Sequence, residues 1–251
     1  IGSRTRKGRE DFRRYFDSAI EVPGLAVDQL GRIAREQALH LVIGVMERDG
    51  GTLYCTVLFF DPGGACLGKH RKLMPTNPER MVWGFGDASG LKAVDTPAGR
   101  VGTLICWENY MPLARYALYA QGIEIYVAPT YDNGDGWIGS LQHIARESRC
   151  WVVGSGNALR ASDIPEGFPN KAALYPDPAE WVNQGDSVVI APGGAIVAGP
   201  LRKEIGILHA EIDPARIAAA RRNFDPVGHY SRPDIFELHV HAGVRKPVQF
   251  D

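Results

Sequence analysis

Cys106, Lys72 and Glu79 are the residues whose types could do chemistry together. A thiol becomes a strong nucleophile once ionised, but a free cysteine has a pKa near about 8.5. A nearby ammonium group favours the thiolate by Coulomb attraction, and a carboxylate can take a proton and return it. Cys106 closes the apolar run of residues 101–106 (VGTLIC), just before Trp107-Glu108-Asn109. A strand end fixes a side chain on the sheet while opening it to a pocket, although a free cysteine is more often a small core residue. Lys72 falls in the basic stretch of residues 68–76 (GKHRKLMPT), which by itself reads as a solvated turn. Glu79 by itself reads as a surface carboxylate paired with Arg71 or Arg80, an interaction of little worth.

The elements that must position these side chains alternate between helix and strand. Phe12, Tyr15, Phe16 and Ile20 recur at helical spacing over 9–21, and Leu25, Val27, Leu30, Ile33, Ala34 and Ala38 do so over 25–39. Residues 41–46 read as a buried strand, Asp49-Gly50-Gly51 as a hairpin turn, and Thr52 to Phe60 as the returning strand. After the strand 101–106, the pattern predicts a helix over 112–121, a strand 123–128 stopped by Pro129, a helix 137–148 and a strand 151–154. A hairpin through Pro192-Gly193-Gly194, a strand 205–212 and a helix 214–223 follow, and about 236–251 read as an extended tail. Hairpins beside strand–helix–strand units predict an α/β fold with mixed sheets. The expected organisation is one domain, 1–240, with a C-terminal tail, 241–251.

Composition excludes several classes. The 251 residues are 45% apolar with a formal net charge of −1, so no polyelectrolyte partner is implied and no nucleic acid is expected. No run approaches the roughly 18 apolar residues of a membrane-spanning helix, and Ile1-Gly2-Ser3-Arg4 carries no secretory signal. Cys55, Cys66, Cys106 and Cys150 have neither CxxC nor CxxH spacing, so neither a metal site nor a disulfide scaffold is expected. A reducing cytoplasm suits them. No phosphate-binding loop or ligand cluster points to a cofactor.

Residues 68–80 (GKHRKLMPTNPER), 83–89 (WGFGDAS) and 101–112 (VGTLICWENYMP) together resemble the nitrilase branch of the carbon–nitrogen hydrolase superfamily. Ala128-Pro129-Thr130, His143 to Glu147 (HIARE) and residues 225–234 (DPVGHYSRPD) fit the segments that follow, so the resemblance runs from about residue 9 to 240. It implies a four-layer α-β-β-α sandwich that self-associates as a homodimer or a larger spiral homo-oligomer. It also implies that Cys106 is the nucleophile, Lys72 the catalytic lysine and Glu79 a supporting glutamate. In that branch the general base is another glutamate, in a Pro-Glu motif on the first strand, expected upstream of Ile1. Neither Glu10 nor Glu21 matches it, since both read as helical. The first βα unit is accordingly expected to be missing. Glu79, beside the lysine rather than across the thiol, is not expected to replace that base fully.

The activity implied is hydrolysis of a small organic nitrile to acid and ammonia through a thioimidate and a thioester. Trp107, Thr130 and Tyr131 are candidates for the substrate site, with packing an equal alternative. His143, on a predicted helix, reads as a residue that supports the site or packs rather than as an acid–base catalyst, and a Cys106–His143 pair has no supporting motif. Within the resemblance, Trp83 and the CWEN sequence favour the nitrilase branch over the amidase branches, and an amidase or carbamoylase on the same fold is the sibling reading. A truncated, weakly active structural subunit of a nitrilase-like oligomer is the alternative from a different class.

Overall fold

Asp49, Gly50 and Gly51 reverse the chain where the sequence predicts, with Gly50 at φ +55°, a backbone region that glycine enters without penalty. The turn joins β2 (Leu41–Asp49) to β3 (Thr52–Phe60) in unbroken register, from Asp49↔Thr52 to Leu41↔Phe60. The structure, a computed structural model, describes residues 4–244 and 248. Of the predicted tail, 245–247 and 249–251 lie outside the described residues, as does the start of the chain at 1–3. The chain forms two compact units, Ile1–Gln121 with Phe236–Asp251, and Gly122–Ile235.

In the first unit, β1 (Ile20–Glu21) runs parallel to β2, and β4 (Cys66–Arg71) runs antiparallel to β3. The sheet order is β1-β2-β3-β4. Two helices lie N-terminal to the hairpin. The first, α1 (Arg6–Ser18), begins at Thr5, whose hydroxyl accepts from the Gly8 N–H at 3.1 Å. The second, α2 (Leu25–Glu36), buries Val27 and Ala34 against Leu58 and Phe60, with Leu41, Ile43 and Val45 packed around them. Side chains alternate along a strand. The odd-numbered residues of β2 therefore face α2, and the opposite face of the sheet is left for other work. A short hairpin, β5 (Val94–Thr96) and β6 (Gly99–Thr103), and α3 (Pro112–Tyr119) complete this unit's regular elements.

The helix face also carries an ion cluster. Glu47, 1% exposed, accepts from Lys69 Nζ (2.5 Å), Arg71 Nη2 (2.6 Å), Arg71 Nε (2.9 Å) and Thr56 Oγ1 (2.8 Å). Burial pushes the Glu47 carboxyl up, but the hydrogen bonds from Arg71, Lys69 and Thr56 outweigh it and hold the group below its usual range. A buried charge persists only when paired in this way.

In the second unit, β7 (Ile125–Thr130) pairs in parallel with β8 (Trp151–Gly156). Antiparallel to these runs β10 (Trp181–Ile190), which pairs with β8, with β9 (Ala158–Arg160) and with β11 (Ile196–Arg202). The helices α4 (Asp135–Ser148), α5 (Lys171–Leu174) and α6 (Ala215–Arg221) complete it, with Ile217 of α6 buried against Trp151, Val189 and Ala191.

Each unit is thus α/β with a mixed sheet, as expected. Several boundaries differ. Pro129 does not stop its strand: it lies inside β7 opposite Ser155, near the end where a missing donor costs least. Residues 205–212 form no strand. Glu21 lies in β1 rather than in a helix, while Glu10 is helical as predicted. Among the described residues, no helix is long and apolar enough to cross a membrane.

Candidate active site

Lys72 follows β4 directly and continues its ladder, donating its backbone N–H to the Cys55 carbonyl at 2.8 Å. The alternation that turns Lys69 and Arg71 toward Glu47 turns His70 and Lys72 to the other face. The expectation of a solvated basic turn fails for both. Lys72 is 1% exposed and His70 is 0% exposed. A buried ammonium group needs a counter-charge and hydrogen-bond acceptors. Lys72 Nζ has Glu79 Oε2 at 2.6 Å and Thr76 Oγ1 at 3.2 Å, and the Trp83 ring centroid at 6.0 Å.

Local sequence delivers that carboxylate. Residues 76–79 (TNPE) open a 3-10 turn, Asn77–Met81, with proline in its first positions. Glu79 Oε2 reaches back to accept the Thr76 N–H at 2.6 Å, one half of a capping box. One oxygen therefore serves both the turn and the lysine. The segment 83–89 (WGFGDAS) folds back over this region, and the Gly86 N–H donates to the Lys72 carbonyl at 2.9 Å. A Cβ on Gly86 would lie 2.2 Å from the Arg71 carbonyl oxygen, so only glycine permits this approach.

Cys106 does not end a strand, contrary to the sequence reading. The strand β6 stops at Thr103; Leu104 and Ile105 are buried, and Cys106 opens a 3-10 turn, Cys106–Tyr110. Its φ is +54°, a left-handed conformation that costs a residue with a Cβ about 1–2 kcal/mol. Such strain persists only where surrounding contacts over-determine it. Those contacts come from the next residues. Asn109 Nδ2 donates to the carbonyls of Cys106 (2.7 Å) and Leu104 (2.9 Å), and Arg115 Nη1 donates to the Asn109 carbonyl at 2.8 Å. Glu108, 1% exposed, accepts the Ile105 N–H at 2.7 Å and the Leu73 N–H at 2.7 Å. Both oxygens also lie 3.0 Å from His70 Nε2. Trp107 points outward, 52% exposed, with Tyr110 edge-on at 5.8 Å.

Electrostatics groups the same residues. Burial pushes the Cys55 thiol up to about 12, while Lys72 pulls it down and electrostatic interactions with Glu79, Cys106 and Glu108 add to the rise. Cys55, Lys72, Glu79, Cys106 and Glu108 therefore share one electrostatic neighbourhood. Glu108 and His70 were missed by the sequence reading. His70 lies two residues before Lys72 and Glu108 two after Cys106, so proximity to the chemistry-bearing pair was the available signal.

The other candidates lie in the second unit. Thr130 ends β7, buried, with its hydroxyl accepting from the Asp132 N–H at 2.8 Å. Tyr131 is exposed, lines a cleft of about 420 Å³ with Asn157, Ser187 and Glu204, and its carbonyl accepts from Asn183 Nδ2. Burial raises the Tyr131 phenol above its usual range. His143 is an exposed residue of α4, with Nε2 3.7 Å from Glu147. Among the described residues, no three His, Cys, Asp or Glu side chains are grouped to hold a metal ion.

Residues 7–222 match the family model described as carbon-nitrogen hydrolase. The bifunctional nitrilase/nitrile hydratase NIT4B of Nicotiana tabacum is 50% identical over 254 residues, covering 100% of this chain and 72% of the relative. The aliphatic nitrilase of Sinorhizobium fredii (strain HH103) is 50% identical over 240 residues, covering 96% and 77%. Among solved structures, a carbon-nitrogen hydrolase from Helicobacter pylori G27 superposes with a TM-score of 0.72 at 21% identity, covering 94% of this chain and 79% of that one.

Proposed function

The chain belongs to the carbon-nitrogen hydrolase family, and from that premise we propose that it hydrolyses small organic nitriles to the carboxylic acid and ammonia with Cys106 as the nucleophile. One observation carries the reading: Cys106 sits half-buried in a strained left-handed turn, and that turn is bonded through Glu108 to the residue after a fully buried lysine. The nitrilase names of relatives at 50% identity support the substrate class.

The thiolate of Cys106 adds to the nitrile carbon and the nitrogen takes a proton, giving a thioimidate. Water adds to that carbon, ammonia leaves, and a thioester remains. A second water releases the acid and restores the thiol. Lys72 favours the thiolate and stabilises negative charge as it develops, together with the backbone N–H of Trp107. Each such donor is worth roughly 3 kcal/mol in a transition state. Glu79 keeps the lysine in place. The thiol proton passes through solvent water to the nitrile nitrogen in this scheme, because Glu79 and Glu108 are both committed to the donors described above. Trp107, the residue after the nucleophile, contributes to substrate binding.

If the thiol departs from the water adduct in place of ammonia, the product is the amide. The name of the Nicotiana relative includes this hydration, and the proposal allows both exits. Self-association into a homodimer or longer spiral is part of the same reading. The test is product analysis with a nitrile and its matching amide. Acid and ammonia from the nitrile, with slower or no turnover of the amide, is the expected result. Turnover of the amide alone would make the protein an amidase on this fold.

A further inference from the structure

Glu108 and His70 lie outside the proposed chemistry, yet they are among the most deeply buried polar side chains of the first unit. The Glu108 carboxylate receives three donors. One is the N–H of Ile105, the residue before the nucleophile, and another is the N–H of Leu73, the residue after the lysine. The third is His70 Nε2, equidistant at 3.0 Å from both oxygens. A nitrogen between two carboxylate oxygens must carry the proton, so the ring donates there. His70 Nδ1 is buried without a hydrogen-bond partner. An orphaned buried polar atom costs about 1–3 kcal/mol, which a leucine in that space would avoid. The ring's one polar contact is therefore the one to Glu108.

We infer that the His70–Glu108 pair is the positioning device that fixes the nucleophile turn against the lysine segment. Glu108 spans two stretches of chain 35 residues apart, and its hydrogen bonds end on the residues flanking Cys106 and Lys72. The imidazole holds the carboxylate so that each oxygen points at one backbone N–H. Neither residue touches the substrate. Their effect passes through the relative placement of Sγ and Nζ, where a displacement of about 1 Å can cost a hundredfold in rate.

The inference rests on Cys106 as the nucleophile, and its test reads that thiol both with and without turnover. His70→Leu removes the donor, whereas His70→Gln returns an amide N–H near the same place. Glu108→Gln presents its own N–H to one of the backbone donors. His70→Leu and Glu108→Gln are expected to lower kcat at least tenfold with KM within twofold. His70→Gln should recover most of that loss. The rate at which iodoacetamide alkylates Cys106, followed by peptide mass spectrometry, should fall and recover in the same order. If His70→Leu does not fold, the contrast between His70→Gln and Glu108→Gln decides. Folded variants with unchanged kcat and alkylation rate overturn the inference, as does a His70→Gln protein as impaired as Glu108→Gln. Absence of nitrile or amide turnover in the unsubstituted protein would overturn the proposed reaction instead, and the alkylation rates would still decide the positioning.

Discussion

Lys72 Nζ lies 2.6 Å from Glu79 Oε2, with 1% of the lysine side chain and 28% of the glutamate side chain exposed. A buried pair of this kind gains little over apolar packing, so the role proposed for Lys72 in the reaction can be separated from its effect on stability. Lys72→Met keeps the volume and removes the charge. It should lower kcat/KM by about 10²–10³, the loss of one transition-state donor, while leaving the melting temperature near or above that of the parent. Glu79→Ala should do the reverse in stability, costing about 2 kcal/mol by stranding a buried ammonium group. Steady-state kinetics paired with urea unfolding separates the two effects. Equal loss of stability in both variants would contradict this assignment.

Gly86 makes a second, purely steric prediction. Its N–H donates to the Lys72 carbonyl, and a methyl group there would collide with the Arg71 carbonyl. Gly86→Ala should therefore move the lysine segment as well as destabilise the fold, by about 1–3 kcal/mol as for other overpacked sites. A thermal melt and a kcat measurement check it. A destabilised variant with full kcat would show that the segment gives way without disturbing Lys72.

Cys55 predicts an alkaline dependence. Its folded thiol is held neutral up to about 12 against an ordinary value of 9.0, chiefly by burial. Below pH 9.0 the group is neutral in both states and burial costs it nothing. Above that, the unfolded chain releases the proton and the folded chain does not, so stability falls as pH rises toward 12. Cys55→Ala should flatten that limb of a melting-temperature profile. Identical slopes in both proteins would remove Cys55 as a cause.

Glu47 predicts the acid limb. Its folded pKa is depressed below 4.5, because the bonds from Arg71, Lys69 and Thr56 outweigh the opposing effect of burial. Its contribution is present above pH 4.5 and is lost as pH falls through the lower folded value. Glu47→Gln should be less stable than the parent at neutral pH, and the gap should close as the solution is acidified below pH 4.5 and through the lower folded value. A gap independent of pH would mean that packing, not charge, accounts for the loss.

Much of this was legible in the sequence because periodicity reports burial. The α1, α2 and α4 helices and the β2–β3 hairpin follow from spacing and from the Asp-Gly-Gly turn. Cys106, Lys72 and Glu79 stand out as a set through resemblance, not through their own environments. Two misreadings share one cause. Lys72 looked solvated because a basic run of residues is normally exposed, and only the strand pairing of Cys55 with Lys72 reveals that alternate residues of that run point inward. Cys106 looked like a strand terminus because an apolar run does not show where pairing stops, while the left-handed turn depends on contacts from Glu108 and Asn109. The turn Thr76-Asn77-Pro78-Glu79 was the readable signal passed over, a capping-box pattern that explains why Glu79 faces back toward Lys72.

A covalent bond between the substrate carbon and Cys106 Sγ is the state on which the proposed hydrolysis depends. Rapid acid quenching during turnover of a nitrile, followed by peptide mass spectrometry, measures it most directly. The expected result is the mass of the acyl or imidoyl group on the peptide containing Cys106, with no adduct and no ammonia release in Cys106→Ala. Substrate mass on another residue, or ammonia release at the parent rate from Cys106→Ala, would exclude Cys106 as the nucleophile.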